Sequence, residues 1–271
     1  MNTMKHIDFR KKKYVMLYIL LFPLAMLLLT GEYDLTNRGH NVANEIPVWR
    51  SQIPDFSAIN DLEEKKSSFF EFIRPEIEIE NARVLAKRER LLDLYKQYRK
   101  KIILSLEEKE WLEKLKAKYR VNGNFDDPEL AWIELIRRVD ILPVELALTQ
   151  AAKESGWGTS RFARRGNNIF GQWCFKEGCG IVPINREEGA SHEVQKFESV
   201  NGSVRSYIHN LNTHDAYEEF RQLRFEQRRV GKKLDGYPLV SGLPRYSERG
   251  EAYLEEIRDM MLANMDIMAS E

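Results

Sequence analysis

The sequence predicts a mainly α protein of α+β type. A helical lobe carries a small β-hairpin insertion and is preceded by a charged helical region and an N-terminal membrane segment. Three observations predict this. Helix formers with apolar positions near a 3.6-residue period fill most of the chain beyond residue 58. Convincing strand-like material is confined to "CGIVPINREEGASHEVQKFES", which a polar turn, "NREEGAS", breaks in two. Ahead of both, a basic cluster leads into an uncharged apolar run. The chain has 271 residues, 43% hydrophobic and 11% aromatic, enough for a packed core. Forty-two Lys and Arg balance forty-two Asp and Glu, which argues against a general nucleic-acid binder.

Residues Arg10 to Lys13 precede the apolar run Tyr14 to Leu29. Positive charge on that side orients a signal-anchor in the inner membrane, with everything after Gly31 exported. A cleaved signal peptide is the alternative. Residues 1–31 are thus the membrane segment, and 32–57, with scattered Asn, Pro and Gly, read as a tether. Residues 58–125 form the charged helical region. Pro75 divides its first part into two helices, with Val84, Leu85, Leu91, Leu92 and Tyr95 as an apolar stripe. Ser105 and Glu108 make a capping box for the next helix, anchored by Leu106, Trp111, Leu112 and Leu115. The heavy charge reads as a solvated face. Sharper readings make 58–120 a docking surface for an envelope protein partner, or a lid over a cleft.

Residues 126–271 form the functional domain. Asp127 and Pro128 open one helix. Pro143 opens another, "VELALTQAAKES", apolar nearly all round and therefore buried, with Gly156 as its left-handed C-terminal residue. Thr159 or Ser160 caps the short helix "SRFARRG", and the loop "GNNIFGQWCF" leads into the hairpin. Helices resume at "NGSVRSYIHNLNTHDAYEEFRQLRFEQRRV" and at "YSERGEAYLEEIRDMMLANMDI". Cys174 and Cys179, beside Gly178 and Gly180, read as a short-loop disulfide in an oxidising compartment. The five histidines show no ligand spacing, so neither a metal nor a cofactor is expected.

Glu154 lies in the last turn of the buried helix. The C-terminal dipole and the low dielectric both disfavour its ionisation there. A carboxyl kept protonated near neutral pH can give its proton to a leaving group, as glycosidic bond cleavage requires. The flanking glycines leave room for a sugar polymer, and Trp157 offers a ring face. The plain alternative is a helix-end glutamate reaching solvent. No G-x-S-x-G, H-E-x-x-H or phosphate-cradling glycine loop points to other chemistry.

The pairing of "ALTQAAKESGWGTSRFA" with "RGNNIFGQW" resembles the glucosaminidase domain of glycoside hydrolase family 73. The resemblance extends through "YIHNLNTHDAYEEFRQLR" and "YSERGEAYLEEI", about half the chain. It implies a lysozyme-like fold with Glu154 as the catalytic acid. It implies a cleft floor shaped by Trp157, Asn167, Asn168, Phe170 and Gly171. Tyr217 is implied to face the sugar at the cleaved position, and Tyr246 to take a structural or cleft-edge position. Several family members place a second catalytic glutamate on the hairpin. Glu187, Glu188 and Glu193 lie there in this chain, with Glu188 favoured and Glu198 read as structural. Attack by the substrate's own N-acetyl carbonyl needs no second acid and stays open. The expected activity is cleavage of peptidoglycan strands after N-acetylglucosamine. A muramidase or lytic transglycosylase, and a non-catalytic wall-binding scaffold, are the alternatives.

Overall fold

A computed structural model describes residues 53–121, 128–184, 186 and 189–269. The expected membrane segment, most of the tether, Asp127, Glu187 and Glu188 lie outside the described residues. Among the described residues, no helix is long and apolar enough to cross a membrane. The described residues between 53 and 225 and between 234 and 269 form one compact unit.

Helix α1 (Leu62–Arg99) packs against α4 (Val144–Ser155) and α6 (Val200–Thr213) within this unit. Two helices joined at Pro75 were expected; the structure corrects this to one helix of 38 residues with Pro75 inside it. Proline removes one amide donor there. Packing on both sides holds the helix through it, since Phe72, Ile73, Glu76 and Ile77 are all buried.

Most charges of α1 lie on an exposed or half-exposed face, as the solvated-face reading expects, with Glu76, Glu80 and Arg88 as buried exceptions. Phe69, Ile73, Ile77, Val84, Leu91, Leu94 and Tyr95 give α1 a buried stripe, while Leu85 turns outward. Arg205 of α6 pairs with Glu80 at 3.0 Å. Arg88 donates to the carbonyls of Ile136 and Val139 at 2.6 and 2.8 Å and lies 3.4 Å from Asp140. Buried charge is tolerated where partners replace water, and those of Arg88 lie at the end of α3 (Pro128–Arg138) and just past it. Helix α1 therefore shares the core of the domain that sequence placed from residue 126. The tether also ends earlier than residue 57. Phe56, in a 3-10 turn over Phe56–Ala58, is 2% exposed and sits edge-on to Phe69 at 5.5 Å.

Helix α2 (Leu106–Lys118) has the expected capping box of Ser105 and Glu108. Leu115 is buried, but the predicted anchor Leu106 is exposed. Helix α5 (Arg161–Gly166) is capped by Ser160. The predicted hairpin proves to be a three-stranded antiparallel sheet, order β1-β3-β2: β1 (Trp173–Cys174), β2 (Gly180–Ile181) and β3 (Glu193–Gln195). The "GQWC" stretch supplies the extra strand, with Trp173 opposite Val194 and Cys174 opposite Glu193.

After α6 come a 3-10 turn (Asp215–Tyr217), α7 (Glu218–Arg229), α8 (Gly236–Leu239), α9 (Glu251–Ala263) and α10 (Met265–Ala269). Arg221 and Arg224 of α7 are buried at 1% and 0% exposure. Arg221 donates to the carbonyls of Leu211 and His214, Arg224 to those of Ile141 and Arg137. Each satisfies backbone acceptors at helix ends that the helices leave open. Glu226–Lys233 belong to a second unit, where Gly231 N–H bonds the Arg228 carbonyl to close α7.

Candidate active site

The apolar residues of α4 from Leu146 to Ala152 are buried, which fixes the rotation of the helix and brings Glu154 to a half-buried position in its last turn. The helix then stops abruptly. Gly156, Trp157 and Gly158 are left-handed in succession, at φ 57, 58 and 75°. Trp157 N–H reaches back to the Ala152 carbonyl at 2.8 Å. The Ser155 hydroxyl donates to the Ala151 carbonyl and accepts from Gly158 N–H, at 2.6 and 2.8 Å. Such a C-terminal motif favours glycine because only glycine adopts positive φ without strain. A Cβ on Gly158 would stand 2.6 Å from a ring carbon of Phe56. That glycine serves packing against Phe56, a different role from the sugar approach expected. Trp157 is half-buried, with its ring 5.7 Å from Phe69 and 5.2 Å from Phe70. It ties the turn to α1.

Glu154 Oε1 accepts a hydrogen bond from the Tyr253 hydroxyl at 2.8 Å. Tyr253 is itself held: its oxygen accepts from Gln150 Nε2 at 2.9 Å, and Gln150 Oε1 accepts from the Tyr207 hydroxyl at 2.6 Å. Gln150 is fully buried, one helical turn before Glu154. By occupying the Tyr253 lone pairs from behind, its amide directs the phenol proton to the carboxylate. Burial is the main influence on Glu154 and pushes its pKa above the ordinary glutamate value. The Tyr253 hydrogen bond and the Lys153 charge pull it down, and the Glu256 charge pushes it up. Glu256, in α9, pairs with Lys153 and with Arg249, the latter at 2.7 Å. Those partners hold its own pKa down, so it stays ionised. The pKa values of these two carboxyls are thus pushed in opposite directions.

Glu154 Oε2 faces the loop "NNIFG". A Cβ on Gly171 would lie 3.7 Å from it, and Gly171 has φ 65°. Asn167, left-handed at the end of α5, donates to the Phe197 carbonyl at 3.1 Å. Asn168 is buried; its amide donates to the carbonyls of Gln172 and Gln195, both at 2.8 Å, and its Oδ1 accepts from Gln172 N–H at 3.0 Å. Both asparagines fasten the loop to the sheet and so hold Gly171 before the carboxyl. Phe170 stacks on Tyr207, centroids 3.8 Å apart. The Tyr246 hydroxyl donates to the Phe170 carbonyl at 3.4 Å, and its ring stacks on Tyr253 at 5.6 Å. Tyr217 lies 5.9 Å from Tyr246, and burial raises its pKa. Glu154 is thus surrounded by phenols kept neutral by burial.

The hairpin acids divide. Glu193 accepts from Gly178 N–H at 3.0 Å and from Gly180 N–H at 2.7 Å, and those bonds lower its pKa. Both oxygens are engaged in holding the loop that the Cys174–Cys179 disulfide closes. Glu198 is exposed. Among the described residues, Cys174, Cys179 and Glu193 come close enough to suggest a metal, but the sulfurs are bonded to each other. Sequence reasoning missed Gln150, Tyr207 and Tyr253. Tyr207 and Tyr253 lie within the quoted stretches "YIHNLNTHDAYEEFRQLR" and "YSERGEAYLEEI" without an assigned role, and Gln150 left a trace as an amide four residues before the acid.

Residues 129–264 match the family model Glucosaminidase, mannosyl-glycoprotein endo-beta-N-acetylglucosaminidase. The chain is also similar to Protein bax of Escherichia coli (strain K12), at 33% identity over 220 residues. These make up 81% of this chain and 77% of that protein. No solved structure matches the chain.

Proposed function

We infer a function from one premise: the chain belongs to the glucosaminidase family. The reading it supports best is hydrolysis of peptidoglycan at the β-1,4 bond after N-acetylglucosamine, with Glu154 as general acid. The observation that carries it is the setting of that carboxyl. Burial raises its pKa, Tyr253 fixes one oxygen, and glycine keeps space open beside the other.

A protonated Glu154 donates its proton to the glycosidic oxygen as the C1–O bond breaks, so the leaving sugar departs as a neutral alcohol. Positive charge grows at the anomeric carbon, and Glu154, now a carboxylate, receives the Tyr253 hydrogen bond more strongly. The anomeric carbon is then met either by the substrate's N-acetyl carbonyl or by water activated by a second carboxylate. Glu193 already holds Gly178 and Gly180, which leaves Glu187 and Glu188 as candidates for that carboxylate, with Glu188 favoured. Tyr217 is assigned to the sugar at the cleaved position from the family resemblance. The basic-then-apolar start of the chain supports an exported enzyme held at the inner membrane.

The test is digestion of purified peptidoglycan by wild type and Glu154→Gln, with products resolved by mass spectrometry. Reducing N-acetylglucosamine ends, absent with the variant, support the reading. Reducing or anhydro-muramic ends assign the other bond. No products from folded wild type favour a wall-binding scaffold.

A further inference from the structure

We propose that Trp173 is a sugar-stacking platform, a glycan subsite on the β-lobe beside the one that holds the cleaved bond. The inference rests on the glycan-cleaving reading above and extends it to a residue that reading does not use.

Trp173 is 54% exposed, so part of its indole is accessible to a ligand. It is also held in place. The His192 ring lies parallel to it, at 4.2 Å between centroids and 14° between planes. Backbone pairing to Val194 sets its position in β1. On one side Gln172 meets Ser206 of α6 at 2.9 Å, and on the other the Cys174–Cys179 disulfide closes the loop. An indole backed on one face and open to solvent on the other, with backbone and neighbours fixed, has little freedom to lose on binding. That is the requirement for a low-cost stacking surface.

Its place in the chain gives the subsite an address. Trp173 follows Gly171, the residue in front of Glu154 Oε2, by two positions, about 7 Å of extended chain. That separation is on the order of one sugar residue, so a strand whose cleaved bond lies at Glu154 can bring a neighbouring sugar within reach of the β1 backbone that carries this ring. The ligand class is the apolar face of a hexopyranose in a β-1,4-linked amino-sugar strand.

The test uses full-length protein carrying Glu154→Gln, so that substrate stays intact. The probe is a soluble hexamer of alternating N-acetylglucosamine and N-acetylmuramic acid, with the disaccharide beside it. Adding Trp173→Ala is expected to weaken hexamer binding about tenfold. The loss should shrink to within twofold for the disaccharide. Trp173→Phe should retain most of the affinity, and His192→Ala should lose part of it. Hexamer binding unchanged by Trp173→Ala in a protein of unaltered melting temperature overturns the subsite and leaves the function standing. Failure of the Glu154→Gln protein to bind hexamer at all, with Trp173 intact, overturns the function reading itself, and the subsite with it.

Discussion

At the scale of single residues, burial and three groups, Tyr253, Lys153 and Glu256, set the pKa of Glu154. Burial raises its pKa, while the Tyr253 hydroxyl lowers it by donating to the charged form. A general acid works only while protonated, so the alkaline limb of kcat/KM follows this pKa. Tyr253→Phe removes a donor to the carboxylate and is expected to move that limb to higher pH. Glu256→Gln is expected to move it to lower pH, because it removes a negative charge and frees Lys153 from its partner. Opposite displacements, read from pH–rate profiles, distinguish this account from one in which both residues merely fill space. Gly171→Ala is expected to lower kcat/KM about 100-fold, since a methyl beside Oε2 displaces the substrate from its reacting position. The substitution also strains a backbone at φ 65°, costing about 1–2 kcal/mol. Equal activity in a folded Gly171→Ala protein contradicts the assignment of Oε2 as the working oxygen.

At the scale of elements, what was legible in the sequence was local. Pro143 before α4, Gly156 after it, the Ser105 capping box, the Ser160 cap and the Cys174–Cys179 bond each depend on residues within a few positions, and each is observed. What could not be read depends on distance. Tyr253 and Glu154 are 99 residues apart, and no local pattern joins them. Helix α1 misled at its proline, which looked like a break, and at Glu76, Glu80 and Arg88, which are buried on a helix whose other charges are solvated. Both rules yield to packing, since the groups on either side of Pro75 are buried and Arg88 finds partners near the end of α3. Pro75→Ala restores an amide donor at an interior helix position and is expected to raise stability, by up to about 3 kcal/mol. A loss of stability in chemical denaturation contradicts the continuous helix. Removing the disulfide with Cys174→Ser and Cys179→Ser is expected to cost about 2 kcal/mol for so short a loop. Hydrogen exchange should locate the loosening at residues 173–195, leaving α4 protected.

For the molecule as a whole, the raised pKa of Glu154 is a cost to folding. Its folded pKa lies above the ordinary 4.5, so the folded state binds the proton more tightly than the unfolded chain does. The stability linked to that proton is complete below 4.5 and is lost as pH rises through the folded value. Glu154→Gln abolishes this dependence. The variant should match wild type at acid pH and melt above it at neutral pH, with the gap widening between the two pKa values and then levelling. Stability given up at the acid is the expected trade where function needs an unfavourably placed charge. The rest of the unit is arranged to hold that carboxyl. Helix α1 supports α4 and its terminal turn, α9 brings Tyr253 and Glu256 to it, and the sheet anchors the loop that ends in Gly171.

The most direct measurement of this arrangement is titration of the Glu154 side-chain carboxyl by carbon-13 NMR in the folded, ligand-free protein, assigned with Glu154→Gln. The account predicts a pKa above the ordinary glutamate value that rises further in Tyr253→Phe. A value at or below the ordinary one, unmoved by Tyr253→Phe, contradicts a buried general acid at this position.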